Sequence, residues 1–572
     1  MESAVTSTKE SASARRLQHA ALALILLGSF LLKLDHLNHA ALRPLDEVFH
    51  AIVARNLLKH PLTPTLVDQP FLPYDDRNWQ ENYIWLHKPP MALWQIALSY
   101  RLFGVNTFAL RLPSAILSTL AVWLTYRIGA ELLDAAAGLV AAGFQAFNPV
   151  ILMVVHGYVF SDHVDISLLF WTEASIWMLA RAIRTGHATD WALCGVAEGL
   201  AFLSKTYPAL IVLGLASIVW LFGNMEKRAK NRGLLIFLLA AIATALPWNL
   251  YAAIRFPREF AYENLNILHH LNENIEQWAG PWDRVVFDYW ISEFHAFYAA
   301  MLAGAVIATV RAIQTRRLGL WLILAWAVGV AVPNLLATSK TPTATLIGWP
   351  AMWLLLGFLI SSALKSDRWA LGAWVLSAML AILLLRNQSI PGIGWGYAPG
   401  GAGALMRQHL WVIGFLAAAL AVGPLVGRLP YRRTMIAISI IAIIPLLIDF
   451  RKGDNVRGYL ALAWRVTEIN QNSPDFSAFG QFARRLPANA AFVVDEQSKF
   501  ENKLMEFAAD RSCYPLDDQN WRALAGALIQ AGALPYLASP ADPRLPLVFD
   551  DAATGMNIYA CTPAAARAAG LQ

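Results

Sequence analysis

Two adjacent carboxylates, Asp46 and Glu47, follow Pro44-Leu45 just after the first hydrophobic stretch of the chain, and His87-Lys88-Pro89-Pro90 comes further on. A carboxylate beside a hydroxyl can take its proton. A fixed cation stabilises charge that develops on a leaving phosphate oxygen. Acids and a cation beside a membrane therefore suit a site that handles a phosphate and a proton at the lipid–water boundary. Each group also has a plainer use. Pro44 and the two acids fit the first turn of a helix running through Ala51 to Leu58, where negative charge complements the dipole. Lys88 would sit at the start of an apolar interfacial helix, Met91 to Phe103, begun by the double proline, and its ammonium could simply snorkel to lipid phosphates.

A second group is Ser161-Asp162-His163-Val164-Asp165. Asp162 and Asp165 are three apart, so one helical face can present both. They fall at the outer end of an apolar span, and ionisable residues at membrane depth are functional candidates. His269-His270 is a weaker signal. Joined by His87 and a carboxylate, the pair would make a divalent-metal site, but spacing alone does not bring them together.

The elements that must position these residues are membrane helices. The 572 residues are 57% hydrophobic and only 15% charged, with 22 Trp, whereas soluble domains carry about 25% charged residues. Apolar stretches separated by short charged loops predict an α-helical polytopic membrane protein. The net charge of +6 is modest, and no basic array with interleaved aromatics marks nucleic acid as a partner. Arg15 and Arg16 precede the stretch His19 to Leu34, which resembles a signal peptide; with no small-x-small cleavage site after it, an uncleaved first helix is expected.

Apolar windows predict about thirteen spans, centred near residues 27, 120, 147, 173, 197, 214, 244, 301, 327, 353, 377, 418 and 441. Those near 197 and 214 are short enough to be one re-entrant pair. Alternate loops are basic: Arg15 and Arg16; Arg127; Arg181 and Arg184; Lys227, Arg228, Lys230 and Arg232; Arg311, Arg316 and Arg317; Lys365 and Arg368; Arg428, Arg432 and Arg433. Basic loops favour the cytoplasm, which sets the N-terminus inside. The opposite loops mix acids, His, Lys and aromatics. They include 35–110, with its interfacial helices, the Asp162 turn, Ser204-Lys205-Thr206, the segment 255–290 and Ser339-Lys340-Thr341-Pro342. Chemistry is therefore expected on the external face.

Composition changes after Phe450, dividing a membrane domain, 1–450, from an external domain, 451–572. Short apolar runs, Ala491 to Val494 and Pro546 to Phe549, flank a helical pattern from Trp521 to Ala531, predicting a small α/β domain. Of the three Cys, Cys194 lies in a predicted span. Cys513 and Cys561 lie in the external domain, where they could form a disulfide or stay as two free thiols.

In order along the chain stand Asp46-Glu47 with Ala51 and Arg55; Lys88-Pro89-Pro90; Phe103-Gly104 leading to Arg111-Leu112-Pro113; Ala137-Gly138 leading to Asn148-Pro149; an Asp-x-x-Leu at Asp165; and Ser339-Lys340 with Pro342. This series, over roughly residues 20–350, resembles the glycosyltransferase-C superfamily, and most closely its protein O-mannosyltransferase and lipid A aminoarabinose transferase type. The resemblance implies an inverting hexosyl or pentosyl transfer at the periplasmic face of a bacterial inner membrane. The donor would be a polyprenyl-phosphate sugar and the acceptor lipid A, another envelope glycolipid or a protein. It implies that Asp46 lies at the reaction centre, as base toward a hydroxyl acceptor or as orienting group toward a phosphate, with Glu47 in support. Lys88 would bind the donor phosphate, with Lys340 and Arg55 as further contacts, and Asp165 or Asp162 would help hold acceptor or metal. His87, His269 and His270 are the candidate ligands for a zinc, magnesium or manganese ion.

Two departures stand out. His87 replaces the acid that usually precedes Lys-Pro-Pro, and Thr343-Ala344-Thr345 lacks the Tyr that relatives often carry after the later loop. Other readings are a lipid-linked sugar transporter or flippase and a non-catalytic scaffold. Transporters usually place charges near the midplane and show internal repeats, and neither is visible here. A scaffold would leave the external acids and Lys88 without a role.

Overall fold

The computed structural model describes residues 2–38, 41–44, 46–157, 162–275, 278–280, 285, 297–365, 367–387, 474–516 and 520–571. It is a multi-pass helical membrane protein with a small α/β unit near its C-terminus. Among the described residues, seven helices are long and apolar enough to cross a bilayer, including Arg15–Leu34, Thr107–Leu132, His163–Thr185 and Lys227–Arg255. Eleven of the predicted span centres fall on described helices or, near 147, at a helix break; those near 418 and 441, and the 450/451 junction, lie outside the described residues.

The N-terminal helices are α1 (Glu2–Leu34), α2 (Asp46–Leu57), α3 (Pro90–Phe103), α4 (Thr107–Leu132), α5 (Ala135–Ala146), α6 (Pro149–Val155), α7 (His163–Thr185) and α8 (Ala188–Lys205). Local chemistry sets their ends. Pro90 starts α3 behind an extended Pro89, where a missing N–H costs nothing. The side chains of Asn106, Asp134 and Asn148 cap α4, α5 and α6 by accepting backbone N–H groups. The span expected near 147 is thus interrupted at Asn148-Pro149, because proline cannot continue a helix ladder. α4 and α5 approach so closely that a Cβ on Gly129 would lie 2.4 Å from the Gly138 Cα. Small residues at such seams let membrane helices pack backbone to backbone.

After α8 the chain turns at Thr206 into a short 3₁₀ segment (Tyr207–Leu210), then α9 (Ile211–Phe222), α10 (Lys227–Arg255) and α11 (Pro257–Asn272). α12 (Tyr298–Thr315), α13 (Leu318–Leu336), the 3₁₀ segment Pro342–Gly348, α14 (Trp349–Leu364) and α15 (Arg368–Asn387) complete the described membrane part. α14 is the most enclosed of the candidate spans, with Trp349, Trp353, Leu354 and Leu356 almost fully buried.

The α/β unit runs α16 (Ser477–Ala483), β1 (Ala490–Val494), α17 (Glu501–Ala509), β2 (Cys513–Pro515), α18 (Trp521–Gln530), β3 (Leu534–Ser539), β4 (Leu547–Phe549), β5 (Asn557–Ala560) and α19 (Pro563–Ala568). Its five strands stand in the order β2-β1-β3-β5-β4. β1 is parallel to β2 and β3, and β5 is antiparallel to β3 and β4. The strands and helix expected from the tail are all present. The disulfide option is not: Cys513 and Cys561 are both free. Cys513 opens β2 and Cys561 directly follows β5, and β1 and β3 lie between those strands, which stand about 14 Å apart, far beyond disulfide reach.

This unit packs directly on α2. Val48, Phe49, Ile52, Trp85 and Ile96 share one apolar cluster with Phe479, Phe492, Met505 and Tyr536. Arg55 locks the joint. Its Nη1 donates to the carbonyls of Glu506 (3.2 Å) and Phe507 (2.9 Å), and its Nη2 lies 3.3 Å from Asp510. Arg55 therefore caps the last turn of α17 rather than reaching a phosphate, which corrects the expectation for this residue. Arg55→Ala should cost about 1.5–3 kcal/mol, the range for hydrogen bonds to a charged group. Faster proteolytic release of the α/β unit, with donor binding unchanged, is the expected readout.

Candidate active site

Asp46 and Glu47 are neighbours in sequence but about 100° apart around α2, and they enter different surroundings. Glu47 points inward and is fully buried. Its Oε1 lies 2.7 Å from Arg111 Nε and 3.2 Å from His163 Nε2, and its Oε2 accepts from Arg111 Nη2 at 2.9 Å and from the Arg43 N–H at 2.8 Å. Arg111 also donates to the carbonyls of Leu37 and Ala41, each at 3.1 Å. His163 is held from its other side by Ser114 Oγ at 2.8 Å. Burial alone would raise the Glu47 pKa, but the Arg111 charge and the His163 and Arg111 hydrogen bonds overcome it and hold the carboxyl well below the usual range. Glu47 is thus a permanently ionised strut that ties α2 to α4 and α7.

Asp46 points the other way and keeps a 27% exposed side chain. Its Oδ1 lies 3.7 Å from Lys88 Nζ, which in turn reaches Asp162 Oδ2 at 3.2 Å. A second cation completes the cluster. Lys205, the last residue of α8, sets its Nζ 2.6 Å from Asp165 Oδ1 and 3.4 Å from Asp162 Oδ2. Asp165 also takes a hydrogen bond from the Thr343 side chain. Burial would lower the Lys88 pKa, but Asp162, Asp46 and Asp165 raise it above the usual ammonium range, so the charge is fixed. The double proline behind Lys88 makes its approach rigid.

His50, one turn after Asp46, is fully buried, with its Nε2 3.8 Å from Asp162 Oδ1. Burial, opposed by Asp162 and Asp46, pushes its pKa down to about 4, so the ring is neutral at physiological pH. Asp162 Oδ1, Asp165 Oδ2 and both His50 ring nitrogens carry no hydrogen bond. Unsatisfied buried polar atoms are costly, and here they gather beside the Lys88 and Lys205 ammonium groups, where a polar ligand group would satisfy them.

The expected residues thus divide. Asp46, Lys88, Asp162 and Asp165 converge. Lys340 does not join them: its Nζ donates to the carbonyls of Asn334 (3.4 Å), Leu335 (3.1 Å) and Ala337, closing the C-terminal end of α13. His87 stacks on Trp79 at 4.3 Å, and its Nδ1 lies 3.1 Å from Glu263 Oε2. His269 forms an exposed pair with Glu273, and His270 faces the Asn266 carbonyl. Among the described residues no group of three or more His, Cys, Asp or Glu side chains is placed to hold a metal ion. His87, His269 and His270 are thus not brought together as one ligand set among the described residues.

Sequence reasoning passed over Lys205, His50, Glu263 and the Arg111–Glu47–His163 bridge as a unit. Lys205 left one signal, a lysine between Ser and Thr at the outer end of a span. His50 left another, a histidine one helical turn after Asp46.

The family model for dolichyl-phosphate-mannose-protein mannosyltransferase matches residues 87–251. An undecaprenyl phosphate-alpha-4-amino-4-deoxy-L-arabinose arabinosyl transferase 2 of Pseudomonas fluorescens (strain Pf0-1) is 28% identical over 382 residues, 63% of each chain. The matched part thus spans 63% of the length of that relative. The structure of ArnT from Cupriavidus metallidurans bound to undecaprenyl phosphate superposes with a TM-score of 0.61 at 14% identity, covering 95% of this chain and 98% of that one. The apo oligosaccharyltransferase of Archaeoglobus fulgidus gives 0.56 at 13% identity, over 91% of this chain and 69% of that one. In these matches the chain is similar to the dolichyl-phosphate-mannose-protein mannosyltransferase model and to the aminoarabinose transferases, and it shares the fold of the ArnT structure.

Proposed function

We propose that the protein is an integral-membrane glycosyltransferase that moves a sugar from a polyprenyl-phosphate donor to lipid A or another envelope glycolipid, at the periplasmic face of a bacterial inner membrane. The observation that carries this reading is Lys88, held between Asp46 and Asp162 with Lys205 alongside. Two cations beside one partly exposed carboxylate suit a phosphate leaving group and an attacking oxygen. The names of the relatives, undecaprenyl phosphate-linked arabinosyl transferases, support the same donor class. The basic loops support a cytoplasmic N-terminus and an external α/β unit.

In the proposed step the acceptor oxygen bonds to the anomeric carbon from the face opposite the phosphate. The carbon–oxygen bond to phosphate breaks, and its electron pair stays on the phosphate oxygen. Lys88 and Lys205 stabilise that oxygen, as preplaced donors do for developing anions. Asp162 and Asp165 hold the two ammonium groups in position before the donor arrives. Asp46 accepts the proton of a hydroxyl acceptor, or orients a phosphate acceptor that is already ionised.

The test is transfer by the full-length protein in proteoliposomes, supplied with an undecaprenyl-phosphate sugar and lipid A. Lys88→Ala should cut turnover of the donor by about 10²–10³-fold, with acceptor binding little changed; unchanged donor kinetics would remove Lys88 from the phosphate role. The mannosyltransferase model match favours one second reading, transfer to a protein hydroxyl. Mass spectrometry of envelope glycolipids and proteins from a deletion strain separates the two, since only one class loses its sugar.

A further inference from the structure

The first external loop and the α/β unit enclose a cleft that the proposed reaction does not use. The loop is closed at its base by an antiparallel bridge between Thr65 and Ile84. It is pinned to the unit by the Phe71 N–H donating to Tyr514 Oη at 2.9 Å and by Ser512 Oγ donating to the Gln69 carbonyl at 2.8 Å. Between these pins lies a cavity of about 190 Å³. Its walls include Tyr74, Tyr83 and Tyr514, and its polar lining includes Asp75, Glu81 and Lys503. The rings of Tyr74 and Tyr83 meet edge to face, 5.6 Å apart, so two flat surfaces turn a corner. Lys503 is buried and fixed by Glu506 at 3.0 Å.

We infer that this cleft is a saccharide subsite, taking one ring of a neutral sugar from the acceptor. The lining fits that chemistry in three respects. Tyrosine faces offer flat apolar area with a polar tip, which matches the C–H faces and hydroxyl edges of a pyranose. Donor and acceptor groups stand on the same rim, as an uncharged polyol needs. The acids outnumber the cation, and Lys503 is already neutralised by Glu506, so a phosphate or carboxylate is disfavoured. The volume lies below the roughly 300–1,000 Å³ of drug-sized pockets, which limits the occupant to about one ring.

The cleft also connects to the cation cluster. Tyr74 Oη bonds Glu259 Oε1 at 3.3 Å. Glu263, one turn further along α11, holds His87, the neighbour of Lys88. An acceptor glycan seated on the tyrosines would thus approach the donor phosphate along a fixed wall. As an acceptor subsite the inference rests on the proposed transferase reading; as a sugar site it is independent of it.

Saturation-transfer NMR on the full-length protein, with the uncharged disaccharides N,N′-diacetylchitobiose and maltose as probes, tests it. Ring C–H signals are expected in the wild type, reduced at least fivefold in Tyr83→Ala and retained within twofold in Tyr83→Phe, which keeps the aromatic face. Release of undecaprenyl phosphate from a lipid-linked sugar donor is measured alongside on the wild-type protein. No signal with either sugar, or one indifferent to Tyr83→Ala, overturns the subsite. A tyrosine-dependent sugar signal without donor turnover by the wild type would sink the transferase reading and leave the cleft standing.

Discussion

Asp46→Asn should leave expression and folding near wild type while sugar transfer to a hydroxyl acceptor falls by about 10²–10⁴-fold, the range for loss of a general base. The structure explains why the two outcomes separate. The Asp46 side chain is 27% exposed and lies 3.7 Å from Lys88. Ion pairs of that kind contribute about 0–1 kcal/mol, so asparagine removes little stability. It does remove the carboxylate that faces the cations and the acceptor. Asparagine keeps the size and the hydrogen-bonding reach, so a loss reports on charge and basicity, not on shape. The comparison between acceptor classes sharpens the test. An acceptor phosphate needs no deprotonation, so the loss there should be smaller. Initial rates at saturating donor, with the thermal midpoint measured alongside, give both quantities. Full activity in Asp46→Asn would remove the central mechanistic claim.

Much of this site could be read from residue order. The first-turn acids, the cation before a double proline and the two aspartates at a span end are local patterns, and loop charge set them all on one face. What sequence could not do was separate identical letters by their distant neighbours. Asp46 and Glu47 are adjacent carboxylates, yet one faces Lys88 and the other Arg111, because a helix turns them apart and α4 supplies an arginine to only one side. Arg55 and Lys340 carried the same charge as Lys88. Each instead closes the C-terminal end of a helix, α17 and α13, whose free carbonyls attract a cation. Lys205 joined the cluster only because α8 packs along α7 and ends level with Asp162 and Asp165. The α/β unit was legible as strands and a helix, but sheet order was not. That order is what keeps Cys513 and Cys561 apart.

Arg111→Met should destabilise the protein by about 3–5 kcal/mol, the cost of removing one partner from a buried ion pair. Arg111 and Glu47 are both fully buried and joined by two hydrogen bonds. Removing the guanidinium leaves an uncompensated carboxylate and strips the carbonyls of Leu37 and Ala41 of a donor. The surroundings cannot collapse onto the gap easily. Gly157 sits over the pair at φ +73°, and a Cβ there would lie 2.4 Å from Glu47 Oε1. The pH dependence gives the test a sign. In the wild type, Glu47 is held below the unfolded carboxylate value, so its contribution is fully present above about pH 4.3 and is lost as the pH falls through the folded value. Without Arg111, burial dominates and the Glu47 pKa rises instead. The variant is then penalised most at neutral pH and relieved as the pH falls toward the unfolded carboxylate value of about 4.3, so the gap between the two proteins is narrower at pH 4 than at pH 7. Denaturant or thermal unfolding in detergent at pH 7 and pH 4 measures this. A variant within 1 kcal/mol of wild type at pH 7, or a gap that widens in acid, would show that Glu47 and Arg111 are not the strut that sets α2 and, with it, Asp46.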